Sequence, residues 1–211
     1  MKNAKSVAVF IIFSIILSSG LISCGGSKSG AGPKVEAGAL AKPASTGNAK
    51  IDQFVDDAFG VLEEVEGMKK SLAEINATLK EINNHPVGPL EWMKEDIMRS
   101  LAKAKDATKQ LEDVDVLIEA LKGKIYRMVE SAKNTKVGLD NVGEKVKSLL
   151  KVLPELPAET ASMKLKAPKG LKAIKSAGGP LKALPGEIKA LATEAQLVLE
   201  NCNKLISSIG K

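Results

Sequence analysis

Apolar residues recur every seven positions along residues 51–82, and this periodicity constrains the fold more than any other feature of the chain. Each position of two series, set three residues apart, is apolar, which predicts a long helix that buries one narrow stripe. Asn48 is a suitable N-terminal cap, and residues 83–89 contain the Asn, Pro and Gly signals that end a helix. The two series are Ile51, Ala58, Val65, Leu72 and Leu79, and Phe54, Val61, Met68, Ile75 and Ile82.

Two further segments repeat this spacing. We expect helices at about 49–83, 89–133, 138–153 and 186–209. A break near Gly138 is favoured over one helix of about 64 residues, because a helix about 95 Å long is unusual in a globular domain. The second segment places Leu90, Ile97, Ala104, Leu111, Ile118, Ile125 and Ala132 in one series and Met93, Ser100, Ala107, Val114, Leu121 and Met128 in the other, continued by Leu139, Val142, Val146, Leu149 and Leu153. The third places Ile188, Ala195, Cys202 and Ile209 beside Leu191, Val198 and Leu205.

These stripes define the expected fold class: all-α, an antiparallel helical bundle or coiled coil of three to four long heptad helices behind a disordered N-terminal tether. The chain is 44% hydrophobic but only 3% aromatic, so the core of the domain at 49–211 must be aliphatic. Cys202 lies on the third stripe and is interpreted as a small buried hydrophobe. The alternative for Cys202 is an intermolecular disulfide, and self-association is compatible with such seams.

The N-terminal segment has the features of a secretion signal. Lys2 and Lys5 precede an apolar run at 7–17 that is too short for a permanent membrane span, and Leu21-Ile22-Ser23-Cys24 follows. This tetrapeptide resembles the lipobox of bacterial lipoproteins. The resemblance implies that residues 1–23 are a cleaved signal peptide, that Cys24 receives acyl chains such as palmitate, and that the mature protein is anchored to the membrane. The absence of Asp at position 25 favours the outer membrane or the cell surface.

Residues 24–48 are interpreted as the lipidated Cys and a flexible tether. The stretch 25–48 contains six Gly, together with Pro33 and Pro43, and no apolar period. Such a composition gives a reach of about 25–30 Å and would lift a folded domain clear of the headgroups.

Charge is distributed unevenly along the chain. Residues 51–83 hold eight acids and three lysines, whereas residues 154–186 hold two acids and six lysines, and no acid occurs at 160–186. Because Pro168, Pro180 and Pro185 interrupt this stretch, we expect a basic Pro/Gly-broken connection at 154–185 rather than a regular helix. Two interpretations stay open for it: leucines packed on the bundle with solvated lysines, or contact with a polyanion or anionic lipid. The lysines are Lys164, Lys166, Lys169, Lys172, Lys175 and Lys182.

The sequence carries no motif of an enzyme. It contains one His, His85, in a turn where a solvated side chain is expected, and no paired ligands for a metal, no nucleophile motif and no phosphate loop. We therefore expect no catalytic residues, no metal and no cofactor. Aromatic residues do not interleave the lysines, so nucleic acid is not an expected partner.

The layout as a whole is similar to helical surface lipoproteins, notably those of spirochaetes. That similarity implies a non-enzymatic, lipid-anchored cell-envelope protein acting as an interaction or adhesion module, whose partner is a protein or an anionic glycan or lipid. The alternative is a periplasmic accessory lipoprotein that binds lipid or a membrane assembly or transport machine.

Overall fold

The computed structural model describes residues 41–101 and 114–209. Over these residues the chain forms helices and no strand, so the predicted all-α fold class is confirmed. The predicted signal segment, Cys24 and the predicted tether up to residue 40 lie outside the described residues, as do the seam positions Ala104, Ala107 and Leu111. The elements are α1 (Ala49–Asn83), α2 (Pro89–Leu101), α3 (Val114–Val152), the short α4 (Leu156–Glu159), a 3₁₀ segment (Thr160–Lys166) and α5 (Ala167–Ile209).

The start of α1 follows the sequence prediction. The Asn48 side-chain oxygen accepts hydrogen bonds from the backbone N–H groups of Lys50 and Ile51, at 3.1 and 3.3 Å, which is the geometry of a helix N-cap. At the other end, Gly88 adopts φ 110°, a conformation that glycine tolerates best, and closes the turn that leads into Pro89 at the first position of α2.

The chain divides into two compact units. Unit A contains the described residues 41–74 and 131–199, and unit B contains 75–101, 114–130 and 200–209. In unit A, Lys145 of α3 donates a hydrogen bond of 2.7 Å to Glu64 of α1, and the hydroxyls of Ser71 and Ser131 lie 3.2 Å apart. Later residues of α1 thus meet earlier residues of α3, so the two helices are antiparallel.

Helix α5 completes unit A as the third helix. Lys69 of α1 bonds Glu187 at 3.1 Å, and Gly170 lies against Ile51, so α5 runs parallel to α1. Lys136 of α3 donates to Gln196 of α5 at 3.0 Å. Unit A is therefore an up-down-up bundle of three helices around an aliphatic core. Its buried side chains include Ile51, Phe54, Ala58, Val61, Val65 and Leu72 from α1, Ala132, Leu139, Val142 and Val146 from α3, and Ile174, Leu181, Leu184, Leu191, Ala195 and Val198 from α5.

Unit B has a core of the same kind with one large aromatic. Trp92 of α2 is 3% exposed, and the Lys124 ammonium of α3 lies 4.8 Å from the centre of its ring. Lys124 also pairs with Asp96, so one cation joins α2 to α3 through a carboxylate and an aromatic face. The remaining buried side chains include Ile75, Leu79, Ile82, Met93, Ile97, Leu117, Leu121, Ile125, Met128, Cys202 and Leu205.

The predicted seam of α1 is almost entirely buried. Nine of its ten positions are in the core, and Met68 is half-buried. Val55 and Phe59 are buried as well, which widens the stripe beyond the two predicted series. At the start of α3 the prediction fails: Val114 is exposed and Ile118 half-buried, while Leu117 takes the core position.

The predicted break near Gly138 is wrong, because α3 continues from Val114 to Val152. The Thr135 hydroxyl donates to the Ser131 carbonyl one turn back at 2.9 Å, so this polar residue stays within the helix. A Cβ added at Gly138 would lie 3.0 Å from the terminal methyl of Met68. The glycine thus serves close packing of α1 on α3 rather than a turn.

The predicted Pro/Gly-broken connection at 154–185 is also wrong over its second half. Helix α5 begins at Ala167 and includes Pro180 and Pro185 in its interior. Both prolines lie off the buried stripe, Pro180 half-buried and Pro185 exposed. A Cβ at Gly178 would lie 2.8 Å from Leu153, so this glycine too accommodates a neighbouring helix.

We predict that Leu72→Lys lowers the free energy of unfolding by about 4 kcal/mol, because it places an unpaired charge at a site with 0% exposure. The control is Ala73→Lys, one residue along α1 on the exposed face, with an expected change of well under 1 kcal/mol. Urea unfolding followed by circular dichroism measures both. Equal losses at the two positions would contradict the assignment of the stripe as core.

We also predict that Pro185→Ala raises the free energy of unfolding by about 1 kcal/mol, because an N–H at this position restores a helical hydrogen bond to the Leu181 carbonyl. The reverse change at a nearby exposed helical site, Ala190→Pro, is expected to cost about 3 kcal/mol. Thermal unfolding measures both. A loss of stability in Pro185→Ala would indicate a non-helical backbone at this position.

Candidate interaction surface

The six lysines for which contact with a polyanion or anionic lipid was one of two interpretations all lie in unit A, and all are exposed. Lys164 and Lys166 belong to the 3₁₀ segment and the other four to α5. Ile174, Leu181 and Leu184 point from the same helix into the core, so the lysines occupy the side that the bundle leaves in solvent. We call the set Lys164, Lys166, Lys169, Lys172, Lys175 and Lys182 the basic face.

The positive charge of the basic face is not neutralised within the described part of the chain. The acids that flank it in sequence are engaged elsewhere: Glu159 pairs with Lys50 at 2.7 Å and Glu187 with Lys69 at 3.1 Å. The hydrogen bond to Glu159 raises the pKa of Lys50. No member of the basic face forms an ion pair among residues 41–101 and 114–209.

The segment that leads into α1 is bound to the bundle, so the prediction of a flexible tether as far as residue 48 is wrong at its end. Lys42 pairs with Asp56 at 2.9 Å, and Thr46 is buried. The Asp52 carboxylate accepts the Ser45 hydroxyl at 2.6 Å, the Thr46 hydroxyl and N–H at 2.7 Å, and the Gly47 N–H at 3.2 Å. These bonds fold residues 45–47 back over the first turn of α1.

The same segment touches the basic face. Lys169 donates a hydrogen bond of 2.7 Å to the Ser45 carbonyl. A Cβ added at Gly47, which has φ 80°, would lie 3.5 Å from the Lys166 ammonium nitrogen. The chain therefore enters unit A directly beside the basic face.

The 3₁₀ segment contains the one non-glycine residue with positive φ in the described part of the chain. Lys164 has φ 48° and ψ −117°, a conformation that glycine adopts more readily than lysine. The next residue, Leu165, is 99% exposed, and Leu171 on the first turns of α5 is 48% exposed. Of the leucines and the isoleucine at 165–184, three are buried in the bundle, namely Ile174, Leu181 and Leu184, whereas Leu165 is fully exposed and Leu171 about half exposed.

The exposure of Leu165 was missed by the sequence analysis, although the periodicity contained the signal. The heptad series of α5 extends back from Ile188 through Leu181 and Ile174, and from Leu191 through Leu184 and Ala177. Leu165 and Leu171 belong to neither series. An apolar residue outside the buried stripe is therefore available for a contact outside the bundle.

Unit A also contains an open cleft of about 510 Å³ where α1, the end of α3 and α4 meet. Its apolar lining residues include Phe54, Leu149 and Leu156. Its charged lining residues are three acids and one lysine, Asp57, Glu155, Glu159 and Lys50, and this distinguishes the cleft from the basic face.

Two residues weighed in the sequence analysis are settled by burial. His85, predicted to be solvated, has a side chain only 13% exposed, with Nε2 3.5 Å from Glu95, so that prediction is wrong. Cys202 has 0% exposure, and burial raises the pKa of its thiol. The interpretation of Cys202 as a small buried hydrophobe is confirmed.

Among the described residues there is no group of three His, Cys, Asp or Glu side chains placed to hold a metal ion. None of the helices in the described ranges is both long and apolar enough to cross a membrane. No protein-family model matches the chain, and no curated protein or solved structure is significantly similar to it.

The Asp52 network makes stability depend on pH. Partial burial opposes ionisation of Asp52, but the hydrogen bonds from Ser45, Thr46 and Gly47 outweigh it and lower the pKa from 3.8 to about 2. A lowered pKa stabilises the fold above the unfolded value, and this contribution is lost as the pH falls from 3.8 through about 2.

We therefore predict that Asp52→Asn lowers the free energy of unfolding by about 1 kcal/mol at neutral pH and that the difference from wild type disappears towards pH 2. Asp140→Asn, at an exposed position of α3, is the control and should change stability by well under 1 kcal/mol. Urea unfolding over this pH range tests the prediction. A pH-independent difference would show that the ionised form of Asp52 is not what stabilises the N-terminal turn.

Proposed function

We propose that the chain is a non-enzymatic, lipid-anchored protein of the bacterial cell envelope that acts as an interaction module, with the outer membrane or cell surface as its favoured location. Two features support this proposal. The lipobox-like sequence Leu21-Ile22-Ser23-Cys24 provides an anchoring Cys, and the chain that follows it enters unit A beside the basic face, through Ser45 and Gly47.

The contact between Ser45 and Lys169 is the observation that carries the proposal. An anchor at Cys24 restrains Ser45 to within about 70 Å of the bilayer, because 21 residues cannot extend further. Because Lys169 hydrogen-bonds to the Ser45 carbonyl, this limit on the distance from the bilayer applies to the basic face as well.

A second candidate function is a periplasmic accessory protein that binds lipid or a membrane assembly. The open cleft of about 510 Å³ favours it, because Phe54, Leu149 and Leu156 offer an apolar wall to a ligand. Protease treatment of intact cells separates the two. Degradation of the protein supports display on the surface, and protection supports the periplasmic role.

We predict that Cys24→Ser abolishes incorporation of labelled palmitate in cells and leaves the signal segment uncut by the lipoprotein peptidase. Cys202→Ala is the matched control and should be labelled as well as wild type, because the thiol of Cys202 is buried in the core. Autoradiography and the electrophoretic mobility of the product give the result. Palmitate in the Cys24→Ser protein would refute the assignment of the anchor.

A further inference from the structure

Leu165 is exposed next to a residue with a strained backbone conformation. Its side chain is 99% exposed, and it follows a residue, Lys164, whose backbone lies outside the regions that lysine prefers. Non-glycine residues in such conformations persist where surrounding structure holds them, and they cluster at sites of function. The turn directs an apolar side chain away from the core, so hydrophobic packing within unit A does not account for it.

The surroundings of Leu165 indicate what it meets. Its two neighbours in sequence are Lys164 and Lys166, and both are exposed. Leu171, in the first turns of α5, is a second exposed leucine. No acid occurs at 160–186. An exposed leucine between two lysines is complementary to a surface whose outer layer is anionic and whose next layer is apolar.

We propose that Lys164, Leu165 and Lys166 form a membrane-inserting tip that seats the basic face on an anionic lipid bilayer. Leu165 enters the boundary between headgroups and acyl chains, and the lysines reach the lipid phosphates. This inference deepens the proposed function and rests on its placement of the chain at a membrane. The hydrogen bond from Lys169 to Ser45 keeps the tip beside the tether, so the lipid anchor and the tip engage the same bilayer.

The tip has a binding activity of its own, which can be measured without the anchor. The protein to use is residues 24–211 with Cys24→Ser, which carries no lipid and retains every described residue and contact. We expect it to co-sediment with vesicles of phosphatidylcholine containing one-third phosphatidylglycerol and not with phosphatidylcholine alone. Binding is expected to weaken steeply between low salt and about 0.15 M.

Matched substitutions distinguish vesicle binding by the tip from non-specific attraction of positive charge to the vesicles. Leu165→Ser is expected to weaken vesicle binding about tenfold. The control Leu197→Ser, at another exposed leucine, which lies in α5, should weaken it less than about twofold. The double change Lys164→Gln and Lys166→Gln is expected to weaken binding about 25-fold at low salt. The same two-charge change at the exposed Lys70 and Lys133 serves as its control, and circular dichroism verifies that all variants remain helical.

Insertion itself is measured with Leu165→Trp and brominated lipids. Trp92, the only natural tryptophan, is 3% exposed, so quenching by bromine reports the new side chain. Quenching at position 165 supports the proposal. Binding without quenching, or heparin binding that exceeds vesicle binding and ignores Leu165→Ser, would overturn it in favour of a polyanionic glycan. Absence of vesicle binding would overturn it while leaving palmitate labelling at Cys24 as an independent test of the anchor.

Discussion

Burial of continuous aliphatic stripes is the interaction on which the rest of this structure depends. With 3% aromatic residues in the chain, the core consists mainly of leucine, isoleucine, valine and alanine, and the helices must approach closely to bury these side chains. Glycines permit that approach, because the missing Cβ leaves space for the side chain of Met68 at Gly138 and for that of Leu153 at Gly178. Each helix also has a side that stays exposed to solvent. The charges on those outer sides therefore define what the molecule presents to its surroundings.

A small polar network determines where the chain joins the bundle. Asp52 holds Ser45, Thr46 and Gly47 against the first turn of α1, and Lys169 binds the Ser45 carbonyl from α5. Hydrogen bonds to an ionised carboxylate are among the stronger polar interactions in proteins, so few residues suffice to fix this junction. The junction also determines which side of the bundle the preceding chain is attached to. Any anchor upstream of residue 41 is connected to the bundle through the side that carries the basic face.

The basic face and the residues around it have features that lower the stability of the fold. A lysine holds a conformation suited to glycine, and two leucines remain in solvent while Ile174, Leu181 and Leu184 pack normally. The six lysines have no compensating acids in the segment that bears them. Strain, apolar exposure and uncompensated charge thus coincide within one short stretch, and this coincidence is the reason for assigning the surface an external partner.

The sequence by itself determined the helical class, the buried stripe of α1, the cap at Asn48 and the identity of the lysines, because heptad spacing and capping are local in the chain. It did not determine the helix through Pro180 and Pro185. Proline and glycine signal a break locally, and only packing of the stripe from Ile174 onward against α1 and α3 outweighs that signal. Likewise, the sequence showed Leu165 among the lysines, but its exposure depends on the turn at Lys164. Contacts between residues distant in sequence determine which apolar residues are buried in the bundle and which remain exposed.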